Sequence, residues 1–345
     1  MVRTFNLEGT PTQDGRAPNQ GKGRGKGGRR RRPRNHLDGW IVLDKPIGLT
    51  STQALGAVKR LFNPEKAGHA GTLDPLASGI LPLALGEATK TVPYVVDGQK
   101  GYRFTVQFGA ATDTDDADGT VIETSDVRPT REAIEAALPR FIGAVEQVPP
   151  RYSAIKIDGQ RAYDLARDGA EVTLKSRTVH IERLAIVGEM TADSVTLEAD
   201  CGKGTYVRAI ARDLGQALGT CAHVTALRRT RVGPFGEAEA ITLEDLRTLA
   251  KDTQAAVDQV LRSPAVALCD LPHMDVDRVV ASRLRRGQSS ILRPLDTVVE
   301  GEVSVMQGDE LVALCRAQAG ELNPVRVFRS PRRRITVPVT EPEPS

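Results

Sequence analysis

The run ILPLALG, Ile80 to Gly86, carries no charged residue, so as a strand it must be covered on both faces. YRFTVQFG, Tyr102 to Gly109, instead alternates apolar and polar residues and predicts a strand with one face on a core. WIVLDKP reads as a short buried strand ending at Pro46. TSTQALGAVKRLF reads as a helix, capped by the Thr50 and Gln53 pair, with Leu55, Val58, Leu61 and Phe62 at helical spacing. Val207, Ile210, Leu214 and Leu218 form one stripe of a second helix within GTYVRAIARDLGQALG. Thr130 caps a third helix running to about Leu138. Residues 177–200 predict a strand pair turning near Thr191–Asp193, and HVTALRRTRVGPF returns as a strand. YSAIKIDG reads as a strand, QRAYDLARDG as a short helix stopped by Gly169, and 242–262 as two short helices. This order predicts an α+β architecture around a mixed, mainly antiparallel sheet, spanning residues 38–262. From about Pro264 short Val- and Arg-rich strands and turns predict a small β-rich domain at 265–330, followed by a flexible tail at 331–345.

The 345 residues suffice for two or three domains, and 40% hydrophobic with 26% charged residues fits a soluble chain. No apolar run approaches the roughly 18 to 20 residues of a membrane span, and the stretch before Asp44 is too short for a signal-peptide core. Cys201, Cys221, Cys269 and Cys315 stand far apart without a CxxC pair, which argues against a zinc site or disulfide framework and for a reducing cytoplasm.

The net charge of +3 conceals a split. Residues 1–35 hold ten Lys/Arg against two Asp/Glu, and the rest of the chain is net acidic. The segment GKGRGKGGRRRRPR has nothing to bury, so residues 1–37 are expected to form a disordered basic tail. Such a tail serves as a polyanion-binding arm or as a solubility extension.

GHAGTLDPLASG, Gly68 to Gly79, fixes one carboxylate, Asp74, among glycines and small residues with no Lys or Arg beside it. Asp74 is either a nucleophile or electrostatic stabiliser, or a turn-forming Asp before Pro75. Arg208 lies in the first turn of a helix, where the dipole disfavours a cation, and borders the apolar stripe. Pairing it with Asp74 would satisfy both groups; the alternative is an arginine fanned into solvent. Tyr102 opens its strand and either stacks on a base or covers a core edge. His69 reads as a structural group sooner than an acid or base. ATDTDDADGT fails as a calcium loop, because positions one and twelve would be Thr114 and Ser125. It reads as a solvated hairpin turn around Asp118-Gly119. There is no GxxxxGK[ST] phosphate loop, and Pro46 in DKPIGLT stands where an aspartyl-phosphate motif wants a hydroxyl.

Taken in order, GWIVLDKPIGLTS, AGHAGTLDPLASGILPLALGEATK, KGYRFTVQFGAATDTDDADG, VPPRYSAIKIDGQRAYDLAR, CGKGTYVRAIARDLGQALG and AHVTALRR resemble the TruB family. These are the tRNA pseudouridine synthases of the T-loop uridine, position 55. The likeness covers about residues 38–235, and the β-rich piece is similar to the family's PUA-like C-terminal domain. The resemblance implies Asp74 as the catalytic aspartate, Tyr102 as the tyrosine stacking on the target base, and Arg208 as the partner of the aspartate. It implies that His69, Tyr206 and Leu227 line the pocket or contact flipped nucleotides. Lys45, with Pro46, would support the active-site loop.

It further implies an isomerase without cofactor or metal, acting on the tRNA T stem-loop as a cytoplasmic monomer that needs no guide RNA. The uracil leaves C1′ and rejoins through C5, and a carboxylate can trap or stabilise the ribose cation so formed, best in a dry site. Flipping the base costs a few kcal/mol, of which stacking on Tyr102 would return about 1–3. Two other readings stand beside this one. A non-catalytic RNA-folding protein would not need the carboxylate, and a guide-RNA-dependent relative would need guide RNA for activity.

Overall fold

The computed structural model describes residues 34–153, 156–157, 160–161, 174–251, 254–291 and 300–330. The tail through Pro33, the helix expected over 160–169 and the tail after 330 fall largely or wholly outside these residues. In chain order the first elements are β1 (Gly39–Lys45), α1 (Ser51–Phe62), β2 (Ala67–His69), β3 (Ser78–Leu85), α2 (Val92–Asp97) and β4 (Lys100–Phe108). Next come β5 (Ala110–Thr112), β6 (Val121–Thr124), α3 (Arg131–Ala137), β7 (Gly143–Gln147), β8 (Lys156–Ile157), β9 (Gln160–Arg161), β10 (Arg177–Ile186) and β11 (Ser194–Cys201). They are followed by α4 (Val207–Ala217), β12 (Ala222–Val232), β13 (Phe235–Gly236), β14 (Ile241–Thr242), α5 (Leu243–Leu249) and α6 (Gln254–Val260).

The main sheet runs β14-β1-β3-β12-β4-β11-β10-β7, with β2 on β3 and β13 on β12. Only β1–β14 and β3–β12 pair in parallel, so the sheet is mixed and mainly antiparallel. β3, the ILPLALG run, is buried on both faces as its composition requires. β4 alternates, and Phe104, Val106 and Phe108 enter a core shared with Val207, Ile210 and Leu214 of α4. The Thr50–Gln53 capping box at the start of α1 is formed in both directions.

A second sheet of five strands follows, built from β15 (His273–Asp275), β16 (Ser290–Ile291), β17 (Gly301–Gln307), β18 (Glu310–Gln318) and β19 (Glu321–Val327). The helix α7 (Arg278–Arg285) covers it through Ala281 and Leu284. It docks on the segment around α2: Lys90 Nζ donates to the Val327 carbonyl at 2.7 Å, and Phe328, Leu311 and Leu314 pack with Tyr94.

Two expectations change. Residues 34–37, assigned to the tail, are built into the fold. Asn35 N–H donates to the Asn63 carbonyl at 2.8 Å and Leu37 is buried with Ile41 and Val58. The acidic hairpin does turn at Asp118-Gly119, but it is not solvated throughout: Asp116 is only 3% exposed. Its neighbour Thr114 donates to Asp116 Oδ1 at 2.6 Å, turning that carboxylate inward, because a buried guanidinium waits there.

Candidate active site

The Asp74 loop joins β2 to β3 and is held from three sides. Ser51, the first residue of α1, accepts from the Leu73 N–H at 2.8 Å and donates to the Leu73 carbonyl at 3.1 Å. Lys45, fully buried at the end of β1, donates from Nζ to the carbonyls of Leu49 at 2.7 Å and Pro46 at 2.9 Å, and reaches that of Pro75 at 3.5 Å. Burial pushes the Lys45 amine down to about 8, Asp74 opposing this and Arg229 adding to it. Arg229 of β12 supplies the third side, donating to Ile80 O at 2.7 Å, Thr72 O at 3.1 Å and Gly71 O at 3.2 Å. Gly79 permits this approach, since a Cβ there would lie 2.2 Å from the Arg229 carbonyl oxygen, at a φ of +101°.

Arg208 comes to Asp74 from the first turn of α4. Its Nη2 lies 2.9 Å from Asp74 Oδ2, and its Nη1 lies 3.1 Å from Asp116 Oδ2. The same nitrogens donate to the carbonyls of Tyr152 and Thr114, each at 2.9 Å. The guanidinium is 4% exposed, whereas the Asp74 side chain is 35% exposed. The carboxylate is therefore closed on its arginine side and open towards a cavity. Burial raises the Asp116 carboxyl above its ordinary range, against the pull of Thr114 and Arg208.

That cavity, about 270 Å³, is lined by Asp74, Tyr102, Tyr206, Arg208 and Leu227 among others, so five of the seven residues singled out from sequence converge. His69 and Lys45 do not line it. His69 sits on β2 with Nδ1 buried and without a hydrogen-bond partner; burial, then Arg229, holds its imidazole below the usual range. Burial pushes the Tyr102 phenol up to about 12. Tyr206 stands at the N-cap of α4 without a side-chain capping bond, and Gln147 clamps its backbone instead, accepting from N–H at 2.8 Å and donating to C=O at 3.1 Å. The Arg177 guanidinium lies 5.5 Å from the centre of the Tyr206 ring.

The sequence reading missed Asp116, Arg229, Ser51 and Gln147. The alternation of β12 could have flagged Arg229: Arg228 faces outward onto Asp44 and Glu237, so its neighbour must face inward. Among the described residues no group of three or more His, Cys, Asp or Glu converges as a metal site. A carboxylate gripped on one side and open to a tyrosine-floored cavity on the other can meet a cationic carbon beside a flat ring.

The family model described as TruB family pseudouridylate synthase (N terminal domain) matches residues 59–207, and that described as tRNA pseudouridylate synthase B C-terminal domain matches 208–268. The five-stranded sheet lies beyond both. The tRNA pseudouridine synthase B of Bradyrhizobium diazoefficiens is 56% identical over 307 residues, covering 88% of this chain and 89% of that protein. Its counterpart from Caulobacter vibrioides is 55% identical over 308 residues, covering 87% and 99%. Among solved structures, a Cbf5-Nop10-Gar1 complex is similar with a TM-score of 0.67 and 28% identity over 86% of this chain and 85% of that one. An H/ACA RNP bound to a substrate RNA containing 2'-deoxyuridine gives a TM-score of 0.66 and 25% identity, covering 85% of each.

Proposed function

The chain belongs to the TruB family of pseudouridine synthases, and we propose that it isomerises the T-loop uridine of tRNA, position 55, without guide RNA. The observation that carries this reading is the 2.9 Å contact of Arg208 with Asp74 at the wall of a cavity also lined by Tyr102. In this role Arg208 keeps Asp74 ionised and aimed. Asp74 bonds to or stabilises C1′ as the N1–C1′ bond breaks, and Tyr102 stacks on the extruded base. Tyr206 and Leu227 line the pocket around it, His69 contacts the flipped nucleotides from outside that lining, and Lys45 supports the loop. The higher identity to tRNA pseudouridine synthase B proteins than to the Cbf5 structures supports a stand-alone enzyme. Four free cysteines support a reducing cytoplasm, and among the described residues no helix is long and apolar enough to cross a membrane. The PUA-like sheet would bind tRNA outside the T-loop, with the protein acting as a monomer.

The test is an unmodified tRNA transcript incubated with purified protein alone. Pseudouridine is expected at position 55 with the wild type. Asp74→Asn is expected to yield less than about a thousandth of the wild-type rate while tRNA affinity stays within about tenfold. Turnover by the Asn variant, or product only on addition of guide RNA, would sink the reading.

A further inference from the structure

Lys100 and Arg229 both line the Asp74 cavity as buried cations, 7% and 1% exposed. Among the described residues no carboxylate pairs with either. Lys100 Nζ donates to the carbonyls of Val96 and Gly98, and Arg229 donates to those of Gly71, Thr72 and Ile80 and meets the neutral Tyr102 hydroxyl. Among the described residues Asp74 is the one carboxylate lining the cavity, and Arg208 already holds it.

The sheet places both cations around Tyr102. Lys100 lies two residues before it on the same face of β4, and Arg229 is its register partner on β12. Burial, and then the repulsion of Arg229, lowers the Lys100 amine to about 8. Capping the end of α2 accounts for the carbonyl contacts of Lys100. It does not account for two mutually repelling buried cations facing one cavity. Such an arrangement is costly unless an anion comes to it.

We propose that Lys100 and Arg229 form a cationic floor that stabilises the detached uracil ring as its anion. The inference rests on the isomerase reading above. When the N1–C1′ bond breaks, the electron pair stays on N1, and the ring carries one negative charge spread onto O2 and O4. Asp74 meanwhile bonds to C1′ or takes the C2′ proton. The ring turns and C5 bonds to C1′, as Asp74 leaves C1′ or the proton returns to C2′. C5 then loses its proton and N1 gains one. No oxidant or reductant enters. Charge exists on the base only between the two bond changes, so a cationic floor stabilises the intermediate more than the neutral substrate.

The experiment compares two tRNAs, one with uridine and one with 5-fluorouridine at the target, under single turnover at saturating enzyme. Fluorine acidifies N1, so this ring leaves more readily and needs less help. Loss of the parent nucleoside in digests reports the cleavage step for both. Lys100→Gln is expected to slow the uridine substrate about 30-fold or more, and the fluorouridine substrate several-fold less, with tRNA affinity within about threefold. Lys100→Arg is expected to recover most of the loss. Should Lys100→Gln fail to fold by circular dichroism, Lys100→Met, which keeps the aliphatic stem, carries the same comparison. Equal losses on both substrates, or no loss, would overturn the proposal. A weakened affinity with an unchanged saturated rate would also overturn it, and would mean that the anion met is a backbone phosphate. Wild-type protein that makes no pseudouridine would instead defeat the isomerase reading itself.

Discussion

The buried hydroxyl of Ser51 closes a two-way hydrogen-bonded ring with the backbone of Leu73, accepting its N–H at 2.8 Å and donating to its carbonyl at 3.1 Å. Helix α1 thereby fixes the residue immediately before Asp74. Ser51→Ala leaves both backbone groups unpaired in a buried place, a cost of about 1–3 kcal/mol. The expected result is a lower urea midpoint and a single-turnover rate reduced about tenfold or more, with tRNA affinity little changed. A normal rate in a destabilised variant would show that the loop keeps Asp74 aimed without this tie.

Arg208→Lys keeps a positive charge yet is expected to lower the single-turnover rate about a hundredfold or more. The reason is bridging. Two guanidinium nitrogens reach Asp74, Asp116 and the carbonyls of Thr114 and Tyr152 together. One ammonium cannot span them, and a shift towards either carboxylate abandons the other in a buried site. Pseudouridine formed at near wild-type rate by the Lys variant would mean that the network is idle in catalysis.

The difference between what could and could not be read beforehand follows from the range of the interactions. The Thr50–Gln53 box is local, and so visible in four consecutive residues. Arg208 was legible because a cation in a helix's first turn lacks a local reason to be there. Asp116 was not, because an acidic run before Asp118-Gly119 looks solvated until Arg208 arrives from 92 positions further along the chain. The partners of Arg229 were hidden for a related reason: the alternation of β12 marks it as inward, but the parallel pairing of β12 with β3, which lays its guanidinium under the Asp74 loop, is set by no local pattern. The two-sided burial of β3 was legible from composition alone, but its place between β1 and β12 was not.

Stability should depend on pH through Lys45. Its amine stands near 8 in the folded protein and at 10.5 as an ordinary side chain. Below pH 8 both states are protonated, and the folded state bears the full cost of burying the charge. Between about pH 8 and 10.5 the unfolded chain holds a proton that the folded one has released, so this site's contribution to stability rises with pH. Lys45→Met removes that dependence. Urea midpoints at pH 7.5 and 9.5 are expected to show the wild type gaining on the variant as pH rises; the lowered amine of Lys100 is common to both proteins and drops out of the difference. A gap between the two proteins that is the same at both pH values would contradict the lowered Lys45.

Removing residues 1–33 tests the basic segment while keeping the contacts by which Arg34 Nη1 donates to the Glu65 carbonyl and Asn35 pairs with Asn63. The deleted stretch carries nine Lys/Arg against two acidic residues. Its contribution should come from neutralising RNA phosphates and freeing the counterions condensed on them. Each phosphate that is no longer neutralised should flatten the plot of log affinity against log salt by about 0.7 to 0.9. With roughly half of the positive charges engaged, the slope should change by about three, tRNA affinity should fall at low salt, and the gap should close at high salt. The single-turnover rate at saturating enzyme should not move, because the Asp74, Arg208 and Asp116 network lies wholly within the remaining chain. An unchanged salt slope would show that this segment does not touch the RNA, and would leave its positive charge to another partner or to solubility.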